Sequence, residues 1–262
     1  MCIFFYEREA VLMRVFFISR RFLWNMALLG LICCLVGAMK LAGDTAQVAE
    51  LASAVLGDSP GDIYMQGEEQ AVSLLIPLDR EADKQLVGQL LGILADNGAR
   101  ASFFVSGQLA EEEPELLRSI LAGGHELGNL GYDDTNPADL NRWEQEAAIA
   151  KTNELVAKAS GAAPRLYLPL FGVTEEDTRL AAADCGLTFV LGSVDPGDWR
   201  PETTPEEVIA AVLSQTEPGS FITIGCGESV LAALDTILKE LAALDLPVIT
   251  VSENLNLTNK DS

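Results

Sequence analysis

The sequence predicts an α/β chain folded as a deformed, TIM-like (β/α) barrel of seven to eight units. Three observations carry that expectation. Apolar runs of strand length alternate with amphipathic runs of helix length from about residue 71 to residue 255, the pattern of a parallel sheet covered by helices. The first strand-like run, AVSLLIPL (71–78), is apolar throughout, as a strand covered on both faces should be. Several helical runs carry their own start and stop signals. A barrel is expected over an open doubly wound sheet.

The elements follow in order. EADKQLVGQLLGILADNG (81–98) reads as a helix ending in an Asn-Gly stop, and RASFFVSG (100–107) as a strand. EEEPELLRSILAGG (111–124) reads as a helix with acids in its first turn and glycines at its end. HELGNLG (125–131) is a short strand leading to a loop, and 137–160 a long helix. LYLPLFG (166–172) and LTFVLGSVD (187–195) are strands, separated by a helix over 174–186 with Thr174 as its cap. A capped helix over 204–219 leads to the strand SFITIGC (220–226). A helix over 228–245 precedes a last strand, LPVITVSE (246–253).

Upstream of these units, FLWNMALLGLICCLVGAM (22–39) holds one polar residue, Asn25, and follows Arg20 and Arg21. That length is at the lower end for a membrane-spanning helix. The flanking charge places residues 1–21 in the cytoplasm and the rest outside. A single-pass signal anchor in the cell membrane is expected, with cleavage and secretion as the alternative. Met13 is an alternative start. Residues 40–70 read as a linker, 71–255 as the folded domain and 256–262 as a tail.

The formal net charge is -22. Residues 1–40 hold five basic and two acidic groups, which leaves 12 Lys+Arg against 37 Asp+Glu beyond them, or -25. Such a surface repels phosphate backbones and argues against a nucleic-acid partner. Nucleotide cofactors lack support, since no GxGxxG follows the first strand and no GxxxxGK[ST] occurs. Cys185 precedes one strand and Cys226 ends the next, so a barrel holds them at opposite ends, beyond disulfide reach.

In a βα barrel, chemistry gathers where strands end and helices begin. Four stretches in those regions carry a resemblance: ILADNGARASFFVSG (93–107), GGHELGNLGYDD (123–134), SVDPGDWRP (193–201) and PGSFITIG (218–225). Their order and spacing resemble the polysaccharide deacetylase (NodB-type) family of carbohydrate esterases. The resemblance implies a barrel that removes N-acetyl groups from cell-wall or similar glycans. It implies a divalent metal, usually zinc, held by two histidines and an aspartate, a second aspartate as general base and a late histidine as acid.

The sequence departs from that pattern at nearly every chemical position. The family's paired aspartates fall on Pro77 and Leu78, with Asp79 next in line. The two histidine ligands fall on Leu130 and Asp134, the arginine loop falls on Leu168 to Gly172 without its arginine, and the late histidine falls on Gly225. Asp195, Asp198 and Trp199 survive. The lone histidine, His125, falls where the family has a structural one. The family's zinc site is therefore expected to be missing, and no cofactor is expected.

Asp79 and Asp198 stand as weak catalytic candidates, and Tyr132, Asp134, Phe171, Asp195 and Trp199 as groove residues. Asp79, Asp133 and Asp134 pose an alternative, an oxygen-only metal site, against an ordinary turn. Three functions compete. An anchored, inactive deacetylase-like domain would bind envelope glycan or a partner protein. A rebuilt carboxylate site using Asp79, Asp134 and Asp198 would make a working hydrolase. An envelope assembly module would use the fold as a scaffold only.

Overall fold

The computed structural model describes residues 61–257. The expected membrane segment 22–39, segment 1–21, most of the linker and the end of the tail lie outside them. No helix among the described residues is long and apolar enough to cross a membrane.

Seven strands form one sheet: β1 (Ile63–Tyr64), β2 (Ser73–Leu78), β3 (Ser102–Val105), β4 (Glu126–Asn129), β5 (Leu166–Tyr167), β6 (Thr188–Val190) and β7 (Phe221–Thr223). Their order is β1-β6-β5-β4-β3-β2-β7, and every neighbouring pair is parallel. The sheet curls into a half-barrel, and Val194, just past β6, bridges Ile222 on β7. The helices are α1 (Lys84–Asp96), α2 (Gly107–Glu112), α3 (Pro114–Ala122), α4 (Arg142–Ser160), α5 (Glu176–Asp184), α6 (Pro205–Gln215), α7 (Glu228–Ala243) and α8 (Val251–Asn254).

Alternate residues of each strand enter different layers. Leu75, Phe104, Leu166, Val190 and Phe221 point into the barrel, where Leu130, Leu168, Val251 and Leu255 join them. Leu74, Ile76, Leu78, Phe103, Val105 and Ile222 pack outward against the helices. Gly128 sits opposite Phe104 in the register, and the Phe104 ring fills the space that a Gly128 side chain would need.

Several elements depart from the sequence reading for local reasons. The helix expected over 111–124 is two helices, because Pro114 has no N–H to continue the first. The long helix starts at Arg142, where Asn141 and Glu144 form a capping box, and Pro137–Asp139 is a separate 3₁₀ turn. Thr174 does not cap α5, which starts at Glu176 behind Glu175. The expected last strand, 246–253, contributes one bridge, from Val248 to Val72. Its second half becomes α8, because Thr250 and Glu253 form a capping box. Residues 61–70, read as linker, belong to the folded body: β1 pairs with β6, and Gly67 N donates to Gly219 O.

At the amino-terminal end of the sheet, a buried carboxylate ties α8 down. Glu126 accepts hydrogen bonds from Ser102 Oγ and from both the N–H and the hydroxyl of Ser252, and Ser102 Oγ also accepts from Val251 N. His125 lies beside it, one residue before β4. Its Nδ1 accepts from Ala101 N at 3.2 Å, and its ring packs edge-on against Phe103 with centroids 5.3 Å apart. It therefore sits at the opposite end of the strands from the loops that the resemblance makes chemical.

Two predictions follow from these environments. Burial first, and the Arg100 charge second, hold the His125 imidazole below its ordinary value of 6.5. With one histidine in the chain, its NMR titration midpoint is expected below 6.5. Because the folded value is depressed, the stability it contributes is complete above 6.5 and is lost as pH falls through the folded value. On the exposed face of α1, a Cβ added at Gly88 or Gly92 meets nothing within 4 Å. Gly88→Ala and Gly92→Ala should each stabilise the fold by about 0.5–1 kcal/mol, read as higher urea midpoints.

Candidate functional site at the carboxyl ends of the strands

β2 sets the first wall of the site. Its alternation turns Leu78 outward, into the helix-side layer, at 1% exposure. Leu78 therefore does not face the barrel interior; the residues sharing Leu75's parity are Pro77 and Asp79. Leu130 does fill the barrel interior, at 3% exposure. Asp79 is exposed, and its carboxylate accepts from Glu81 N at 2.8 Å in a tight turn.

Asp79 and Asp134 meet in one polar cleft of about 230 Å³, lined also by Arg80, Glu81, Ser106, Gln108 and Asp133. Asp133 is spent on the turn reading, since its carboxylate accepts from Thr135 N. Arg80 pairs with Glu112 at 3.0 Å. Asp195, Asp198, Phe171 and Trp199 do not line this cleft. The proposed convergence of Asp79, Asp134 and Asp198 in one cleft is therefore not observed.

Tyr132, which lines a small pocket with Leu130 and Tyr167, is held on three sides. Lys151 Nζ lies 3.4 Å from its ring centroid, its hydroxyl donates to Glu111, and the ring edge crowds Gly107. Lys151 and the cleft residues Ser106 and Gln108 escaped the sequence reading, which did place Arg80 beside Asp79 on a strand-end loop. Ser106 had a signal: it stands before a helix and caps it, accepting from Leu109 N.

Two aromatic side chains stand out on the neighbouring loops. Phe171, past β5, is 69% exposed and has φ 59 and ψ 13. A non-glycine residue in that left-handed region costs on the order of 1 kcal/mol, and such strain concentrates at ligand sites. Trp199 is 74% exposed, with Arg200 5.5 Å from its ring centroid. Between Val194 and Trp199, Asp195 accepts from Gly197 N and Asp198 accepts from Gly225 N, both at 2.8 Å. Burial first, opposed by the Gly225 hydrogen bond and aided by the Asp195 charge, raises the Asp198 carboxyl above its ordinary value.

Zinc does not fit this donor set. Of the positions that the resemblance makes ligands, 78 and 130 are buried leucines and 134 is an exposed aspartate. Among the described residues, no group of three His, Cys, Asp or Glu side chains is placed to hold a metal ion. Cys185 and Cys226 are free thiols, and burial pushes Cys226 up to about 11.

A curled parallel half-barrel with a cleft at the carboxyl ends of its strands defines a class of α/β proteins built to hold a ligand there. Comparison with known proteins narrows the class. Residues 69–190 match the polysaccharide deacetylase family, and the chain carries a domain of that family. It is 29% identical over 174 residues to a chitooligosaccharide deacetylase of Sinorhizobium fredii, covering 65% of this chain and 80% of the relative. It is 27% identical over 190 residues to a peptidoglycan-N-acetylglucosamine deacetylase of Bacillus cereus, covering 71% and 69%. Among solved structures, a CE4-family pseudoenzyme from Bacillus anthracis has a TM-score of 0.71 at 24% identity, covering 76% of this chain and 70% of that one. A family 4 carbohydrate esterase from Streptomyces lividans has a TM-score of 0.64 at 29% identity, covering 70% and 92%.

The burial contrast at the site predicts a stability contrast. Leu78→Ala should destabilise the fold by about 2–5 kcal/mol, the cost of a core truncation. Trp199→Ala should change stability by less than about 1 kcal/mol. Urea unfolding of the two variants checks both.

Proposed function

We propose that this chain is a membrane-anchored, extracytoplasmic polysaccharide deacetylase-like protein that binds envelope glycan without deacetylating it. The observation that carries the reading is Leu130, which fills the barrel interior where the resemblance puts a histidine ligand. Leu78 removes a second ligand by identity, and Gly225 removes the acid. What remains at the strand ends is ligand-binding surface: a polar cleft with Asp79 and Asp134, and the exposed rings of Phe171 and Trp199. Aromatic faces supply apolar contact to sugars, and polar groups fix orientation. The names of the relatives point to chitooligosaccharide and peptidoglycan as the glycan class. The hydrophobic segment 22–39 supports the anchor.

A second reading, a hydrolase with a rebuilt carboxylate site, is favoured by one observation: Asp79 and Asp134 line the same cleft.

One experiment separates the two. The full chain, purified in detergent with zinc present, is assayed for bound metal, for acetate release from chitin and peptidoglycan fragments, and for co-sedimentation with insoluble peptidoglycan. Saturable co-sedimentation without acetate release is expected. Stoichiometric zinc with turnover would overturn the reading, and turnover without metal would establish the carboxylate site.

A further inference from the structure

A small cavity lies between the loop over 131–140, the first turns of α4 and β5, and the glycan-binding reading leaves it unused. Its volume is about 20 Å³, room for a single water-sized group. Leu130, Pro137, Leu140 and Ile149 give it apolar walls. Two buried polar side chains line it as well, Gln145 at 4% exposure and Tyr167 at 2%. It is distinct from the polar cleft, and Asp133 borders both.

Neither side chain is fully satisfied by its protein neighbours. Gln145 Nε2 donates to Leu140 O at 3.0 Å. That bond fixes the amide, since a flipped amide would set two acceptors against each other. Gln145 Oε1 is then left buried without a partner. Among the described residues, the Tyr167 hydroxyl makes no hydrogen bond either. Burial first, and the Cys185 charge second, raise the Tyr167 phenol above its ordinary value. It stays protonated, with one proton to give and lone pairs to receive. Unpaired buried polar atoms are destabilising, and folded proteins hold few of them. Here two of them border the same small cavity.

We propose that this cavity is a binding site for one hydroxyl group, which donates to Gln145 Oε1 and accepts from the Tyr167 hydroxyl. A hydroxyl does both with a single heavy atom. An anion has no proton for Gln145 Oε1, and a methyl group answers neither partner. A cation would enter an apolar space without a counter-charge, at a high desolvation cost. Two sources supply such a hydroxyl, a trapped water and a small primary alcohol. Bound there, it links α4 to β5 beside the 131–140 loop, whose Leu140 carbonyl the same Gln145 amide holds. That loop carries Asp133 and Asp134 into the polar cleft. The site is independent of the glycan-binding reading.

The test uses the full chain in detergent, with two variants, Tyr167→Phe and Gln145→Met. Without a bound hydroxyl, Tyr167→Phe deletes only an unpaired buried group and should leave the fold equally or more stable. With one, the folding equilibrium constant should fall about tenfold, read as a lower urea midpoint. In methyl-labelled protein, the Ile149 methyl protons should show an NMR cross-peak from a long-lived water. Gln145→Met keeps the Tyr167 hydroxyl proton and should lose that cross-peak, which separates a bound hydroxyl from exchange at Tyr167. Methanol is then added as the alcohol probe. A methanol methyl cross-peak that replaces the water one assigns the site to alcohols, and a water cross-peak that persists assigns it to water. Absence of both cross-peaks overturns the site, as does a cross-peak that survives Gln145→Met. A Tyr167→Phe urea midpoint equal to or above the parent's overturns it too. If Gln145→Met fails to fold, the Tyr167→Phe midpoint decides the matter alone.

Discussion

Every feature at the strand ends depends on one constraint: a parallel strand covered on both faces sends alternate side chains into two different apolar layers. In β2 that alternation commits Leu74, Ile76 and Leu78 to the helices, while Leu75 faces the barrel interior. A shift of one residue would exchange the two sets. The same rule runs through β3, where Phe103 and Val105 face the helices and Phe104 faces inward against Gly128. The inner layer is then closed from the amino-terminal side by α8, which contributes Val251 and is held by the Glu126, Ser102 and Ser252 hydrogen bonds.

That filled interior gives the proposed loss of chemistry a physical form. A metal-dependent amide hydrolase needs polar ligands converging on a water-accessible point. Here Leu130 belongs to the packed interior, and the polar groups are displaced outward to exposed turns. Asp79, Asp133 and Asp195 all accept hydrogen bonds from backbone N–H groups two residues along. They hold loop conformations, and those loops carry the cleft and the exposed ring of Trp199.

Much of the architecture was legible in the sequence. The apolar runs marked the strands, and the Thr204 and Glu207 capping box marked α6 where it lies. The errors cluster where a local signal was outranked. Pro114 breaks a helix that amphipathicity alone would continue, and Thr250 with Glu253 starts a helix inside an apolar run read as a strand. β1 was missed because two residues carry no readable periodicity and are fixed only by pairing with β6. Of the site, Asp79, Arg80 and Asp134 were foreseen on strand-end loops, while Ser106 and Gln108 were not, because the cleft is assembled from loops of three strands.

The sequence alone determined the fold class, the acidic surface, the single histidine and the identity of the residues at the family's chemical positions, since these follow from composition, order and local periodicity. Only the tertiary structure decided which of those residues share a space. It turned Leu78 away from the barrel and Leu130 into it, put His125 at the far end of the strands, and set Gly225 against the Asp198 carboxylate. Strand pairing and sheet curl join residues far apart in the chain, and neither is written in any single stretch of sequence.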